Sequence, residues 1–374
     1  MKIPLAAPDI SEADIEAVSA VLRTSRLSLG PKLQEFEEAL ARYVGTSEAI
    51  AVSSGTSGLH LCLQAMGIGE GDEVIVPSFA FIAVANAVRY VQAIPVFVDI
   101  DEETLNLDPS RIEAAISQRT RAIVVVHTFG VPAAMNAILE IAKRHSLFVI
   151  EDACEALGGE FDGRRVGSFG DAGVFGFYPN KQITTGEGGA IVTNDAKFAK
   201  RVRTLRNQGR DDSGEWLQHG EIGYNYRISE MNCALGISQL QRLDGILGNR
   251  DSLALAYHQR LQNIPYLIVP HSELPQRKIS WFVYVVRLSE SFAGENRDIV
   301  LADMLARGIE CGRYFAPIHL QPAYRNVPQR RMDLWVTESI APRTLALPFF
   351  NKITSSQIEE VCGTLEEVLQ KIAG

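Results

Sequence analysis

The sequence predicts an α/β chain: a mostly parallel central sheet with helices on both faces, plus a smaller C-terminal α+β domain. Three observations carry that expectation. Short apolar runs alternate with segments of helical period through the first part of the chain. Those runs are apolar at successive positions and rich in Val and Ile, as strands buried on both faces are. Beyond about Gln262 the alternation gives way to strands and helices in mixed order.

Taken in order, "SEADIEAVSAVLRTS" sets Ile15, Val18, Val21 and Leu22 at helical spacing behind Ser11 as a capping residue. "PKLQEFEEALARYVG" has Pro31 near its start and Gly45 past its end, so a second helix is expected. The strand "AIAV" precedes the helical "SSGTSGLHLCLQAMG", and "EVIVP" precedes "SFAFIAVANAVRYV". "IPVFVDI" follows, then "RAIVVVHTFG" before "AAMNAILEIAKRH", then "LFVIEDACEA". "VFGFY" and "GAIVTND" read as two strands joined through a loop, and a helical region runs from Asn225 to about Gln262. "LIVPHS", "SWFVYVVRL" and "TLALPFF" are strand-like, whereas "RDIVLADMLARGI" and "SSQIEEVCGTLEEVLQKIA" are helical. The expected division is a large domain over residues 1–245 and a small one over 246–374.

The 374 residues are 46% hydrophobic and 22% charged, the balance of an ordinary globular protein. A net charge of −9 sets an overall field that repels nucleic-acid backbones, so no nucleic-acid partner is expected. The five cysteines, at 62, 154, 233, 311 and 362, form no C-x-x-C pair, which points to a reduced, cytoplasmic setting. No signal-like N-terminus and no run of membrane-spanning length occurs, so no membrane role is expected. The seven histidines show no H-x-x-x-H spacing, and no metal site is expected.

Three stretches carry the chemistry. "SSGTSGLH", residues 53–60, follows a strand and opens a helix, where free backbone N–H groups and the hydroxyls of Thr56 and Ser57 form an anion site. By itself it also reads as a plain N-cap. Asp152, in "VIEDACEALGG", ends an apolar strand, the sheet edge at which α/β proteins bind ligands; capping the next segment, with Glu155 as partner, is the alternative. Lys181, in "FYPNKQITTGEGG", precedes glycines at 186, 188 and 189 that let a backbone approach something bulky. It reads as a nucleophilic amine or as an exposed loop lysine. Together a phosphate cradle, a strand-end carboxylate and a lysine are the parts that pyridoxal phosphate requires. "PSFAFIA" offers Phe79 and Phe81 as ring-stacking candidates or as core.

With these blocks in view, the chain resembles the DegT/DnrJ/EryC1/StrS sugar aminotransferases, which share the fold of aspartate aminotransferase (fold type I). The likeness runs through "PLAAPDI", "SRLSLGPKLQEFEEALARYVG", "AVSSGTSGLHL", "DEVIVPSFAFIA", "PVFVDID", "EDACEALGG", "FYPNKQITTGEGG", "GYNYRISEMNCALGISQL" and "PIHLQP". The resemblance implies that Lys181 carries pyridoxal 5′-phosphate and moves a proton, and that Asp152 pairs with the ring nitrogen. It implies that Phe81 stacks on the ring, that Gly55, Thr56 and Ser57 hold the phosphate, and that Glu155 lies near the ring hydroxyl. Asn225 would reach the phosphate in a neighbouring subunit, giving a homodimer with shared active sites. Many relatives carry a serine five positions before the lysine; this chain has Gly176 there.

The implied reaction moves an amino group from L-glutamate to a nucleotide-linked keto-deoxy sugar, at C4 of a 4-keto-6-deoxyhexose as in perosamine formation for O-antigen. Three alternatives stay open: amination at C3, a related dehydratase, and a non-catalytic sensor. Dehydratases of this fold carry His where Lys181 stands. "RYFAPIHLQP" offers Arg313, Tyr314 and His319, which the resemblance places at the substrate mouth. "RTLRNQGRDD", residues 203–212, is a basic patch that reads either as a diphosphate contact or as a solvated helix end.

Overall fold

The computed structural model describes residues 3–210, 218–292 and 295–373. Its strands are, in chain order, β1 (Glu48–Val52), β2 (Glu73–Pro77), β3 (Ile94–Val98), β4 (Thr120–Val126), β5 (Phe148–Asp152), β6 (Glu160–Phe161) and β7 (Arg164–Arg165). They continue with β8 (Ala172–Gly176), β9 (Gly189–Thr193), β10 (Leu267–Ile268), β11 (Arg277–Lys278), β12 (Tyr284–Leu288), β13 (Arg330–Arg331) and β14 (Thr344–Leu347). Eight of them form one sheet in the order β1-β9-β8-β5-β4-β2-β3-β13. From β8 to β13 all neighbours are parallel, while β9 runs antiparallel to both β8 and β1.

The strand pleat sends alternate side chains to opposite faces, and both faces are buried. Val74 and Val76 pack with helices Gly55–Ala65 and Ala83–Tyr90, whereas Ile75 packs with helices Pro109–Ala115 and Met135–His145. The same split divides Val124 and Val126 from Ile123 and Val125. This is why the runs are continuously apolar, and the mostly parallel sheet with helices on both faces is the one expected.

Strands β10, β12 and β14 form a separate antiparallel sheet, backed by helix Ser355–Ala373 and a core that includes Ile3. The helical region after Asn225 is two helices, Glu230–Gln241 and Leu243–Leu261, joined at Arg242. The second helix belongs to both cores. Its Leu243, Ile246 and Leu247 pack near the large sheet, and its Ala254, Tyr257 and Leu261 pack on the small one. Among the described residues no helix is long and apolar enough to cross a membrane.

In helix Glu12–Leu22, which forms as expected behind Ser11, Val21 is buried but Ile15 is 50% and Leu22 58% exposed, while Asp14 is buried. The carboxylate of Asp14 explains the orientation. It accepts from Ser238 Oγ at 2.6 Å, Gln239 Nε2 at 2.8 Å and Arg242 at 2.9 Å, so a polar cluster seats the helix on Glu230–Gln241.

Candidate active site

The carboxyl ends of the parallel strands open into a cavity of about 410 Å³. Val126 at the end of β4, Asp152 at the end of β5 and Gly176 at the end of β8 all line it. Ser54, Gly55 and Thr56, which follow β1, close one side. Ser54 caps helix Gly55–Ala65 through a reciprocal box with Ser57. Ser57 N–H donates to Ser54 Oγ at 3.1 Å, and Gly58 N–H to the Ser54 carbonyl at 3.1 Å. The amides of Gly55 and Thr56 have no acceptor among the described residues, and both residues line the cavity. That is the anion cradle of a helix start. The Ser57 hydroxyl is committed elsewhere: it donates to the Ser54 carbonyl at 2.7 Å.

The loop between β8 and β9 is folded tightly on itself. Phe177 N–H donates to the Gly188 carbonyl, and Thr185 N–H and Thr184 Oγ1 both donate to the Phe177 carbonyl. Gly186 turns the chain at φ +80, which its lack of a Cβ permits. Gln182 anchors the loop inward, its Nε2 donating to the Glu155 carbonyl at 2.7 Å and to Ser280 Oγ at 2.9 Å.

This geometry aims Lys181 into the cavity, with Nζ 3.5 Å from Glu155 Oε1 and 3.9 Å from the centre of the Phe282 ring. The surface-lysine alternative is therefore set aside. Glu155 is buried, and its second oxygen accepts from the Phe129 N–H at 2.9 Å. Burial pushes its carboxyl up, against the opposing pull of Lys181. Asp152 is buried as well, and one carboxylate oxygen accepts from the Cys154 N–H at 3.1 Å. Burial, with the charge of Asp152, drives the Cys154 thiol well above its ordinary range, so it is an inert lining group.

Of the two phenylalanines offered as stacking candidates, Phe79 is core and Phe81, 61% exposed, lines the cavity. Arg313 and Tyr314 line it too, with Arg313 3.1 Å from Asp298. His319 needs correction as a residue of the mouth: it is buried behind the wall and does not line the cavity, because Ser78 and Glu338 hold its ring. Asn225 is exposed on the surface, paired with Asn207 through the backbone, and also outside the cavity lining.

In the basic patch, Arg203 pairs with Glu48 at 2.9 Å and Arg206 is buried against Glu37 at 2.5 Å, so both serve the packing of β1. Asp211 and Asp212 lie outside the described residues. Sequence reasoning missed Phe282, Phe315, Tyr178 and Asn180. Tyr178 and Asn180 lie within the lysine block and Phe315 beside Tyr314, so these were legible as neighbours; Phe282 arrives from a strand-like segment that carried no site signal.

The residues present fit pyridoxal phosphate. An amine, a buried strand-end carboxylate, an exposed aromatic face and two unclaimed helix-start amides converge on one cavity. Among the described residues no group of three His, Cys, Asp or Glu is placed to hold a metal ion.

The family model for the DegT/DnrJ/EryC1/StrS aminotransferase family matches residues 8–366. The GDP-perosamine synthase of Caulobacter vibrioides is 42% identical over 371 residues, covering 98% of each chain. The solved structure of DesV from S. venezuelae, in complex with a ketimine intermediate, superposes with a TM-score of 0.89 at 37% identity over 98% of both chains. The PLP form of the putative sugar aminotransferase Spr1654 from Streptococcus pneumoniae superposes at 0.93 with 25% identity, covering 99% of both chains.

Proposed function

The chain belongs to the DegT/DnrJ/EryC1/StrS aminotransferase family, and on that premise we propose that it moves an amino group from L-glutamate to C4 of a nucleotide-linked 4-keto-6-deoxyhexose. The coarser statement needs no proposal: it is a sugar aminotransferase of fold type I that works with pyridoxal phosphate. The finer reading is supported by the similarity to a GDP-perosamine synthase over 98% of the chain. The single observation that carries the chemistry is Lys181 Nζ inside the strand-end cavity, 3.5 Å from Glu155.

The bound cofactor supplies a carbonyl for the amino group and a ring that accepts electrons. The chain's residues do the rest. Lys181 holds the cofactor and moves a proton at Nζ. The Asp152 carboxylate would pair with the ring nitrogen and keep it charged. Gly55 and Thr56 would bind the phosphate through their amides, with Ser57 shaping that turn. Phe81 would cover one ring face, and Glu155 would contact the ring hydroxyl. Arg313 and Tyr314 bind the sugar nucleotide.

In this reading the molecule works as a homodimer in which Asn225 serves the partner's site. Its exposure outside its own cavity favours that, as do the exposed Ile15, Leu22, Leu27 and Leu29. Residues 1–245 would carry the cofactor and residues 246–374 would close over the substrate, within the cytoplasm.

The test is Lys181→Ala, assayed with L-glutamate and a panel of keto-sugar nucleotides by mass spectrometry. The expected outcome is loss of the long-wavelength absorbance of a lysine-bound cofactor and a fall in turnover of about a thousandfold or more. Turnover equal to the parent's would refute the assignment.

A further inference from the structure

His319 is 4% exposed and lies between two strand ends. Its Nδ1 is 2.7 Å from Ser78 Oγ and its Nε2 is 3.0 Å from Glu338 Oε1. Its backbone N–H donates to Ser78 Oγ at 3.2 Å, and the Ile318 N–H donates to the Ser78 carbonyl at 2.9 Å. One proton arrangement satisfies every group. The Glu338 carboxylate only accepts, so Nε2 carries the hydrogen; Ser78 Oγ, an acceptor from the amide, donates its own hydrogen to Nδ1. That arrangement requires a neutral ring, and burial keeps the imidazole below its usual pKa against the pull of Glu338.

The network extends further. Glu338 belongs to helix Trp335–Ile340, whose first residues are held by the buried Asp99 just past β3. Asp99 accepts from Val336 N–H at 2.8 Å, Thr337 N–H at 2.8 Å and Thr337 Oγ1 at 2.7 Å. The imidazole thus adds a side-chain link between Ser78, just past β2, and the helix seated on Asp99, just past β3, beside the backbone bonds that Ile318 and His319 make to Ser78.

Both sides of the cavity hang from it. Ser78 is followed by the core residue Phe79 and then by Phe81 in the cavity. His319 is preceded by Arg313, Tyr314 and Phe315 in the facing wall, with Pro317 limiting the backbone between. Phe315 packs edge-on to Phe79, 6.0 Å between ring centres, and stacks on Phe129 at 5.2 Å. An apolar residue of similar volume would fill the space. It would leave the Ser78 hydroxyl without its acceptor and cut the link to Glu338, with only the backbone bonds of Ile318 and His319 holding the wall to Ser78.

We propose that His319 is a positioning residue for the sugar acceptor: by joining Ser78 to Glu338 it sets the distance between Phe81 and the Arg313–Phe315 wall. The inference rests on the sugar-transaminase reading. Holoenzymes of His319→Leu, Ser78→Ala, the double variant and His319→Asn are compared with the parent, using L-glutamate and a GDP-linked 4-keto-6-deoxyhexose. His319→Leu and Ser78→Ala should each raise KM for the sugar about five- to tenfold, the worth of one buried hydrogen bond. Turnover and cofactor absorbance should stay within about twofold of the parent, as expected for a group that orients the acceptor without touching it. The double variant should be no worse than the worse single one, and His319→Asn, whose Oδ1 can accept from Ser78, should recover much of the loss.

A KM unmoved in the single variants, a double variant equal to the product of the singles, or His319→Asn no better than His319→Leu would each overturn the proposal. If His319→Leu does not fold, Ser78→Ala and His319→Asn decide alone. A parent that turns over no such sugar removes the premise and the inference together. A working parent with unmoved variants removes the inference only.

Discussion

Gly55 and Cys154 form one unit. A Cβ on Gly55 would lie 2.6 Å from Cys154 Sγ, and the thiol is walled in by β8 at Val174 and Gly176. Gly55→Ala should therefore destabilise the chain by about 1–3 kcal/mol through overpacking. Adding Cys154→Ala should restore most of the loss in a urea titration; a double variant as unstable as Gly55→Ala would show that the strain lies elsewhere. At this scale the local motifs were legible. Lys181, Asp152, Glu155, Gly55 and Thr56 sit in short blocks whose chemistry is written beside them, and the cavity gathers all five. What a side chain meets across space was not. His319 was legible as a polar residue in a loop, but its burial depends on Ser78, Asp99 and Glu338, which arrive from three other segments.

Helix Glu12–Leu22 shows the limit of periodicity at the scale of elements. The apolar spacing of Ile15, Val18, Val21 and Leu22 foretold the helix but did not say which residues would turn inward: Val21 and Asp14 are buried, Ile15 and Leu22 exposed. The polar pocket on helix Glu230–Gln241 decided it. Burial alone would push the Asp14 carboxyl up, but hydrogen bonds from Ser238, Ser11 and Gln239 outweigh it and hold its pKa below the usual aspartate value. A depressed folded pKa contributes stability above the ordinary value near 3.9, lost as pH falls through the folded pKa. Asp14→Asn should cost about 2 kcal/mol at neutral pH, typical of hydrogen bonds to a charged group. The gap between parent and variant should close as the pH is lowered below about 4. Denaturation midpoints at pH 7 and pH 3 check this, and a gap that persists in acid would remove the carboxylate from the account.

For the whole molecule, the proposed homodimer makes a testable demand on Asn225. Asn225 stands exposed and outside its own cavity, so its proposed service is to a neighbour's. Mixing Lys181→Ala and Asn225→Ala chains should form hybrids in which one site has both residues intact, and part of the activity should return. Hybrids that form, as seen by native mass spectrometry, yet stay inactive would end the cross-subunit role.

Strand and helix order, the buried parallel sheet and the identity of the lysine, carboxylate and cradle were determined by the sequence alone, because each depends on neighbours within a few residues: apolar period, capping chemistry, turn glycines. Which side of the first helix turns inward, which aromatic rings surround Lys181, and that His319 is buried between Ser78 and Glu338 were decided only by the tertiary structure. Those outcomes depend on groups brought together from distant parts of the chain, and a buried polar atom takes whatever partner that packing delivers.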